Sequence, residues 1–364
     1  MRARQFVLYA FYTLLVFVLF NFLIWKLFTE QILTRKEGVY TGDLARMGYI
    51  TDLVQPRKNE TDLPRRHLEM RGYRYEPVKM ITIGDSFSQG AGFGYNRFYQ
   101  DHFASAFGWD VLNVLQHVNT RNYMETAVLL ANSGFLKKSG AQYLLIESTE
   151  RKVIGRHTGN VNFDITMPLD ELERYYGVNE PPKEGDYDTL PPVSFINNGN
   201  IKYLAYKPLY HFSDNAYFSL AYRVKLNREL FSVGNGEEML FYSHALREAK
   251  DHTEPNLKLV HENLNALAKF LKEKHGVTLL FMPAPTKFDL YNAFFSSPGY
   301  RKDPFFNILR SFDDKAYRFV DTKAILEPEL ERGVKDLYYC DDTHWTYKAC
   351  AAITKALKKE KVLR

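Results

Sequence analysis

The stretch Val78-Lys79-Met80-Ile81-Thr82-Ile83-Gly84-Asp85-Ser86-Phe87-Ser88-Gln89-Gly90-Ala91-Gly92 decides how this chain is read. An apolar run that stops in a glycine-rich turn is how α/β proteins present a reactive residue at the carboxyl edge of a sheet. Glycines permit tight backbone turns, and N–H groups beside Ser86 can cradle an oxyanion. The spacing excludes three other loops. A phosphate-binding loop needs its closing Gly-Lys-Ser/Thr, the dinucleotide fingerprint needs G-x-G-x-x-G, and the lipase elbow needs a glycine where Ser88 stands. Ser86 therefore stands as a candidate nucleophile, set against a purely structural Gly-Asp-Ser turn.

Working outward, strands alternate with helices. The pattern predicts strands at 109–115, 142–147, 277–282 and 317–320, and helices at 122–138, 256–274, 322–332 and 346–359. The 256–274 helix carries its apolar rhythm on Leu257, Val260, Leu264, Leu267 and Leu271. Such alternation implies a parallel sheet covered on both faces. Between 150 and 250 the rhythm stops, and a segment rich in Tyr, Phe, Asn, Gly and Pro reads as an insertion that caps the active edge or decorates the surface.

Near the C-terminus stands Cys340-Asp341-Asp342-Thr343-His344-Trp345-Thr346. A histidine acting as general base needs a carboxylate on its other ring nitrogen, and both Asp341 and Asp342 are within reach along the chain. Ser86 follows the first strand and His344 precedes the last helix, so a doubly wound sheet can bring both to one edge. That completes a nucleophile, a base and an orienting acid.

The N-terminus sets the location. Phe6 to Trp25 runs without a charge, long enough to cross a bilayer core, and no small-residue cleavage site follows it. Residues 1–28 read as a membrane anchor, against the alternatives of a cleaved signal peptide and a buried core helix. Arg2 and Arg4 place the N-terminus in the cytoplasm and the body outside the bacterial inner membrane, in the periplasm, while Lys26, Arg35 and Lys36 oppose that orientation. Residues 29–76 read as a juxtamembrane stalk lying partly on the body. Because residues 1–36 carry five basic side chains and one acidic, the rest holds only about +1 of the formal +5, which leaves no electrostatic footprint for nucleic acid. Cys340 and Cys350 are the two cysteines, and outside the cytoplasm they can close a short disulfide loop; free thiols are the alternative.

Gly84-Asp85-Ser86 after the first strand, with Asp-Thr-His-Trp late in the chain, resembles the SGNH (GDSL) hydrolase superfamily. The Asp-x-His-Trp form is similar to the alginate O-acetylation proteins and related membrane-anchored polysaccharide O-acetyltransferases. Pro283 to Tyr291 and Glu147 to Arg151 resemble two further segments of that branch. The resemblance implies a flavodoxin-like α/β/α fold over 77–359. It implies Ser86 as nucleophile, His344 as base, and Asp342 as orienting acid, or Asp341 by the spacing of the wider superfamily. Asp85, Asn113, Ser148, Arg151, Lys287, Tyr291 and Trp345 are the candidates for oxyanion or substrate contacts, Trp345 by stacking on a sugar ring or else by packing the last helix. Two departures stand out: the alginate proteins carry the histidine motif before the serine, and the superfamily's Gly and Asn oxyanion donors have no clear counterpart. The implied activity is extracytoplasmic acyl transfer, of acetyl first, to an exported glycan, with neither cofactor nor metal and with a multi-pass membrane acyltransferase as donor partner. A membrane-anchored carbohydrate esterase or lipase, and a non-catalytic glycan-binding assembly subunit, are the alternatives.

Overall fold

The computed structural model describes residues 3–33, 40–57, 62–181, 193–217, 219–297 and 299–360. Arg2, Arg35 and Lys36, which bear on orientation, lie outside them.

Six strands form one parallel sheet in the order β1-β3-β2-β4-β7-β8: β1 Leu68–Glu69, β2 Met80–Ile83, β3 Val111–Val114, β4 Tyr143–Thr149, β7 Thr278–Ala284 and β8 Arg318–Phe319. A separate antiparallel hairpin pairs β5 (Ala221–Lys225) with β6 (Glu238–Tyr242). The central strands are apolar throughout because both faces of a parallel sheet are covered by helices. Side chains alternate between faces. Met80, Val111, Leu145, Leu280 and Met282 join one core with the helices Tyr99–Phe107, Thr322–Glu331 and Tyr347–Lys359. Ile81, Ile83, Leu112, Ile146 and Phe281 join the other with Tyr123–Asn132, Glu254–His275 and Phe305–Ser311. The architecture is thus a three-layer α/β/α fold.

Element boundaries differ from the sequence reading at identifiable places. The helix expected over 122–138 is two, because Gly134 adopts φ +80 after Asn132 and the chain restarts at Phe135. Segment 29–76 is more than a stalk. Leu44, Ala45, Ile50 and Leu53 are buried in the first core, and Leu68–Glu69 adds the edge strand beside β3. No amphipathic period marked this segment, because its apolar residues pack from a short helix, Asp43–Gly48, and from loops.

Among the described residues one helical run, Ala3–Leu33, is long and apolar enough to cross a membrane, with mean hydropathy 2.3. Only 6% of its most apolar window is buried inside the protein, so it is not a core helix.

The cysteines are both buried and free. Of the two readings, free thiols describe this structure: the Cys340 thiol is directed to the carbonyl of Glu238 on β6, at 3.3 Å, while Cys350 is held within the last helix.

Candidate active site

β2 delivers the first functional side chain. Gly84 must lack a side chain, since a Cβ there would sit 2.1 Å from Ser88 Oγ and 2.5 Å from Glu147 Oε2. Glu147 accepts hydrogen bonds from the Asp85 N–H (3.0 Å) and Ser88 Oγ (2.8 Å), and so holds the turn from beneath. Asp85 in turn accepts from the N–H of Phe87 (3.2 Å), the N–H of Thr149 (2.9 Å) and Arg156 Nη1 (2.5 Å). The two buried carboxyls divide their protonation. Burial first, then the neighbouring Asp85 charge, pushes Glu147 well above the ordinary range; against burial, Arg156 holds Asp85 below it. One negative charge and one guanidinium therefore lie under the turn that presents Ser86.

The second side chain comes from the loop before the last helix. His344 Nε2 lies 2.7 Å from Ser86 Oγ, and its Nδ1 lies 2.6 Å from Asp342 Oδ1, which also accepts the His344 backbone N–H at 3.0 Å. Burial alone would lower the imidazole pKa, but the Asp342 charge and hydrogen bond, with Asp43 and Asp85 beyond, raise it above the ordinary value. Reciprocally, Asp342 is held far below the usual carboxylate range: burial opposes this, and the His344 charge outweighs it.

Of the two adjacent aspartates, only Asp342 reaches the imidazole. Asp341 turns to the N-terminal segment, accepting from Arg57 Nη1 at 2.7 Å and from the Gly42 N–H at 2.8 Å, with its carbonyl taking the Ala45 N–H. Arg57 also approaches Asp342 at 3.6 Å and lies over the Tyr339 ring at 4.1 Å. Asp43 closes the cluster by accepting from Thr343 N–H (2.8 Å) and Oγ1 (2.6 Å) and donating its own N–H to Asp342 (3.1 Å).

Residues 236–362 match the family model of the SGNH hydrolase-like domain of the acetyltransferase AlgX. Over that segment the chain is similar to an SGNH hydrolase-like domain. No curated protein and no solved structure matches the chain. The matched segment includes Lys287, Tyr291, Asp342 and His344, while Ser86 and its strand precede it.

The SGNH-like site opens on a small pocket lined by Ser86, His344, Thr149, Arg151, Lys287 and Tyr242, among others. Arg151 and Lys287, two of the candidates, line the same pocket as Ser86. Lys287 is buried, donates to the carbonyls of Tyr339 and Cys340 at 2.7 Å each, and is lowered by burial to about 8. Other candidates lie elsewhere. Asn113 supports the turn from behind, reaching the Ser88 carbonyl at 3.4 Å, and Ser148 Oγ accepts from Arg156 at 2.9 Å. Asp85 is committed to the anchoring bonds already described, and Tyr291 is buried against Phe231, its hydroxyl accepting the Tyr338 N–H. Trp345 offers no stacking face: it is 2% exposed and packs edge-on against Phe87 and Tyr99. The Ser86 N–H has no backbone acceptor among the described residues, and Thr149 lines the pocket at the end of β4.

Sequence reasoning missed Asp43, Arg57, Glu147 and Arg156. Arg57 and Asp43 sit in a stretch without periodicity, so nothing local marked them. Glu147 carried a signal, a carboxyl inside an otherwise buried strand, which requires partners. The ligand atoms of Asp43, Asp342 and His344 lie within 4.8 Å of one another, a grouping that suits a metal by composition. Each is already engaged by hydrogen bonds to its neighbours, so the arrangement serves the histidine as it stands.

Proposed function

We propose that this protein is an extracytoplasmic O-acyltransferase, acting first on acetyl groups, that esterifies hydroxyls of an exported glycan. The observation that carries this reading is the chain of contacts Ser86 Oγ, His344 Nε2, His344 Nδ1, Asp342 Oδ1, at 2.7 and 2.6 Å. His344 takes the Ser86 proton as Oγ attacks the acyl carbonyl, and the buried Asp342 stabilises the imidazolium. Negative charge develops on the carbonyl oxygen, for which the Ser86 N–H is an available donor. Collapse expels the donor's leaving group with the proton from His344 and leaves an acyl ester on Ser86. A sugar hydroxyl, deprotonated by the same imidazole, then attacks that ester; Ser86 regains its proton and the glycan carries the acyl group.

In this reading the N-terminal helix is retained as a single anchor with the N-terminus in the cytoplasm. A multi-pass membrane acyltransferase supplies the acyl group, since acetyl donors are made inside the cell. The candidate partner is thus membrane-embedded, and the anchor keeps the two together.

The test uses the full-length protein in lipid nanodiscs with a chromogenic acetyl ester, with and without oligosaccharide acceptors. Transfer predicts acetylated glycan with the wild type and none with Ser86→Ala at unchanged folding. Hydrolysis that is indifferent to added glycan, with no ester on the sugar, overturns transfer and leaves an esterase. Full acyl release by Ser86→Ala overturns both.

A further inference from the structure

The anchor helix does not leave the body cleanly. Asn21 lies within the apolar run, four residues before Trp25, yet it is buried against the helix Asn198–Leu209 of the aromatic insertion. Asn200 Nδ2 donates to Asn21 Oδ1 at 2.9 Å, and Asn200 Oδ1 accepts from Thr29 Oγ1 at 2.6 Å. Rings add to the joint: Phe22 meets Phe195 edge-on at 6.2 Å, and Phe28 stacks on Tyr203 at 5.0 Å. At a rise of about 1.5 Å per residue, Asn21 stands roughly 6 Å inside the end of the apolar span marked by Trp25. A residue bonded to Asn21 is drawn to the same depth.

Two independent features fit that depth. First, the surface around Asn200 is apolar and open: Phe195, Ile196, Ile201 and Leu204 are all exposed, continuous with exposed Phe22 and Leu23 of the anchor. Second, the irregular turn leading into the helix has its backbone groups closed by its own side chains. Asn200 Nδ2 donates to the Phe195 carbonyl (2.8 Å), Asn197 Nδ2 to the Ser194 carbonyl (2.8 Å), and Asn197 Oδ1 accepts from the Gly199 N–H (2.8 Å). Non-helical backbone at membrane depth is tolerated only when its polar groups are satisfied without water.

From this placement we infer that residues 193–204 of the insertion are a second membrane contact, seated in the outer leaflet of the bilayer beside the anchor. The occupant is lipid, because the patch extends the lipid-facing surface of the helix without a break and begins below its outer end. Two exposed lysines stand on this helix, Lys202 within the stretch and Lys207 on its second half, and their long stems let the ammonium groups reach up to the headgroup level. The consequence for the site is orientation: the insertion that carries Tyr242 to the pocket wall is fixed to the membrane through residues 193–204, so the pocket is held at a set height above the bilayer.

The inference rests on the reading of Ala3–Leu33 as a spanning helix, and the test separates the two. Single nitroxide labels are placed on the full-length protein through Ile201→Cys, Val16→Cys and Leu259→Cys, all at exposed positions; Cys340 and Cys350 are buried and stay unlabelled. In nanodiscs of phosphatidylethanolamine and phosphatidylglycerol, without any partner protein, accessibility to oxygen and to a water-soluble nickel chelate is measured. The expected result is an oxygen-to-nickel ratio several-fold higher at 201 than at 259, with 16 in lipid as well. A lipid signal at 16 with a nickel-accessible 201 overturns the second contact and leaves the anchor intact. A label at 201 shielded from both probes also overturns it, in favour of a protein occupant. A nickel-accessible 16 overturns the anchor reading and the inference with it.

Discussion

Replacing Asp342 by asparagine, beside the same change at Asp341, tests the site most sharply because the two residues are neighbours in sequence and diverge in space. Asp342 Oδ1 stands 2.6 Å from His344 Nδ1, whereas Asp341 is bound to Arg57 and the Gly42 N–H. An asparagine at 342 preserves shape and a hydrogen-bonding atom but removes the charge that steadies the imidazolium. Two unit charges about 4 Å apart interact by about 4 kcal/mol at the effective dielectric of protein sites. Lost only when the imidazolium forms, that energy corresponds to a fall of about a thousandfold in kcat. Asp342→Asn is therefore expected to retain its thermal transition within a few degrees while losing about three decades of acyl release. Asp341→Asn breaks a buried ion pair instead, at a cost of about 3–5 kcal/mol in stability, and the fraction that folds turns over within tenfold of wild type. The assay is acetyl-ester turnover per folded molecule, with melting followed by intrinsic fluorescence. Turnover within tenfold of wild type for Asp342→Asn, with the thousandfold loss falling on Asp341→Asn, would refute the assignment of roles.

Three further outcomes follow from the geometry. His344 must be neutral to accept the Ser86 proton, and its pKa is raised, so kcat/KM climbs with pH through an inflection above 6.5; Asp342→Asn moves that inflection down. Gly84→Ala forces a methyl onto Ser88 Oγ and Glu147, at about 1–3 kcal/mol of overpacking; thermal shift and turnover should fall together, and an unchanged melting temperature would contradict the packing under Ser86. Lys287→Met leaves the Tyr339 and Cys340 carbonyls without their donor, at about 1–3 kcal/mol each. Because the folded lysine sits at about 8 and the unfolded one at 10.5, the unfolded chain binds more protons between these values, so wild-type stability gains with rising pH there and the variant lacks that gain.

Several features of this protein could be read from the residues alone. The glycine-broken strand at 78–92 and the alternation of strands and helices specify a covered parallel sheet, because burial on both faces demands continuous apolar runs that composition displays directly. Ser86 and His344 were legible for a related reason: each sits at a chain break where a strand ends or a helix begins, and such breaks line up at one edge of a doubly wound sheet. The apolar helix was legible by length. What tertiary structure decided concerns partners. Asp341 and Asp342 are equivalent in sequence, and only the position of Arg57 and Gly42, 284 and 299 residues away from Asp341, directs one away from the histidine and leaves the other facing it. Trp345, read either as a sugar platform or as packing for the last helix, is a core residue set edge-on against Phe87. Local pattern fixes which face a side chain takes, but which charge it meets there depends on contacts between distant segments.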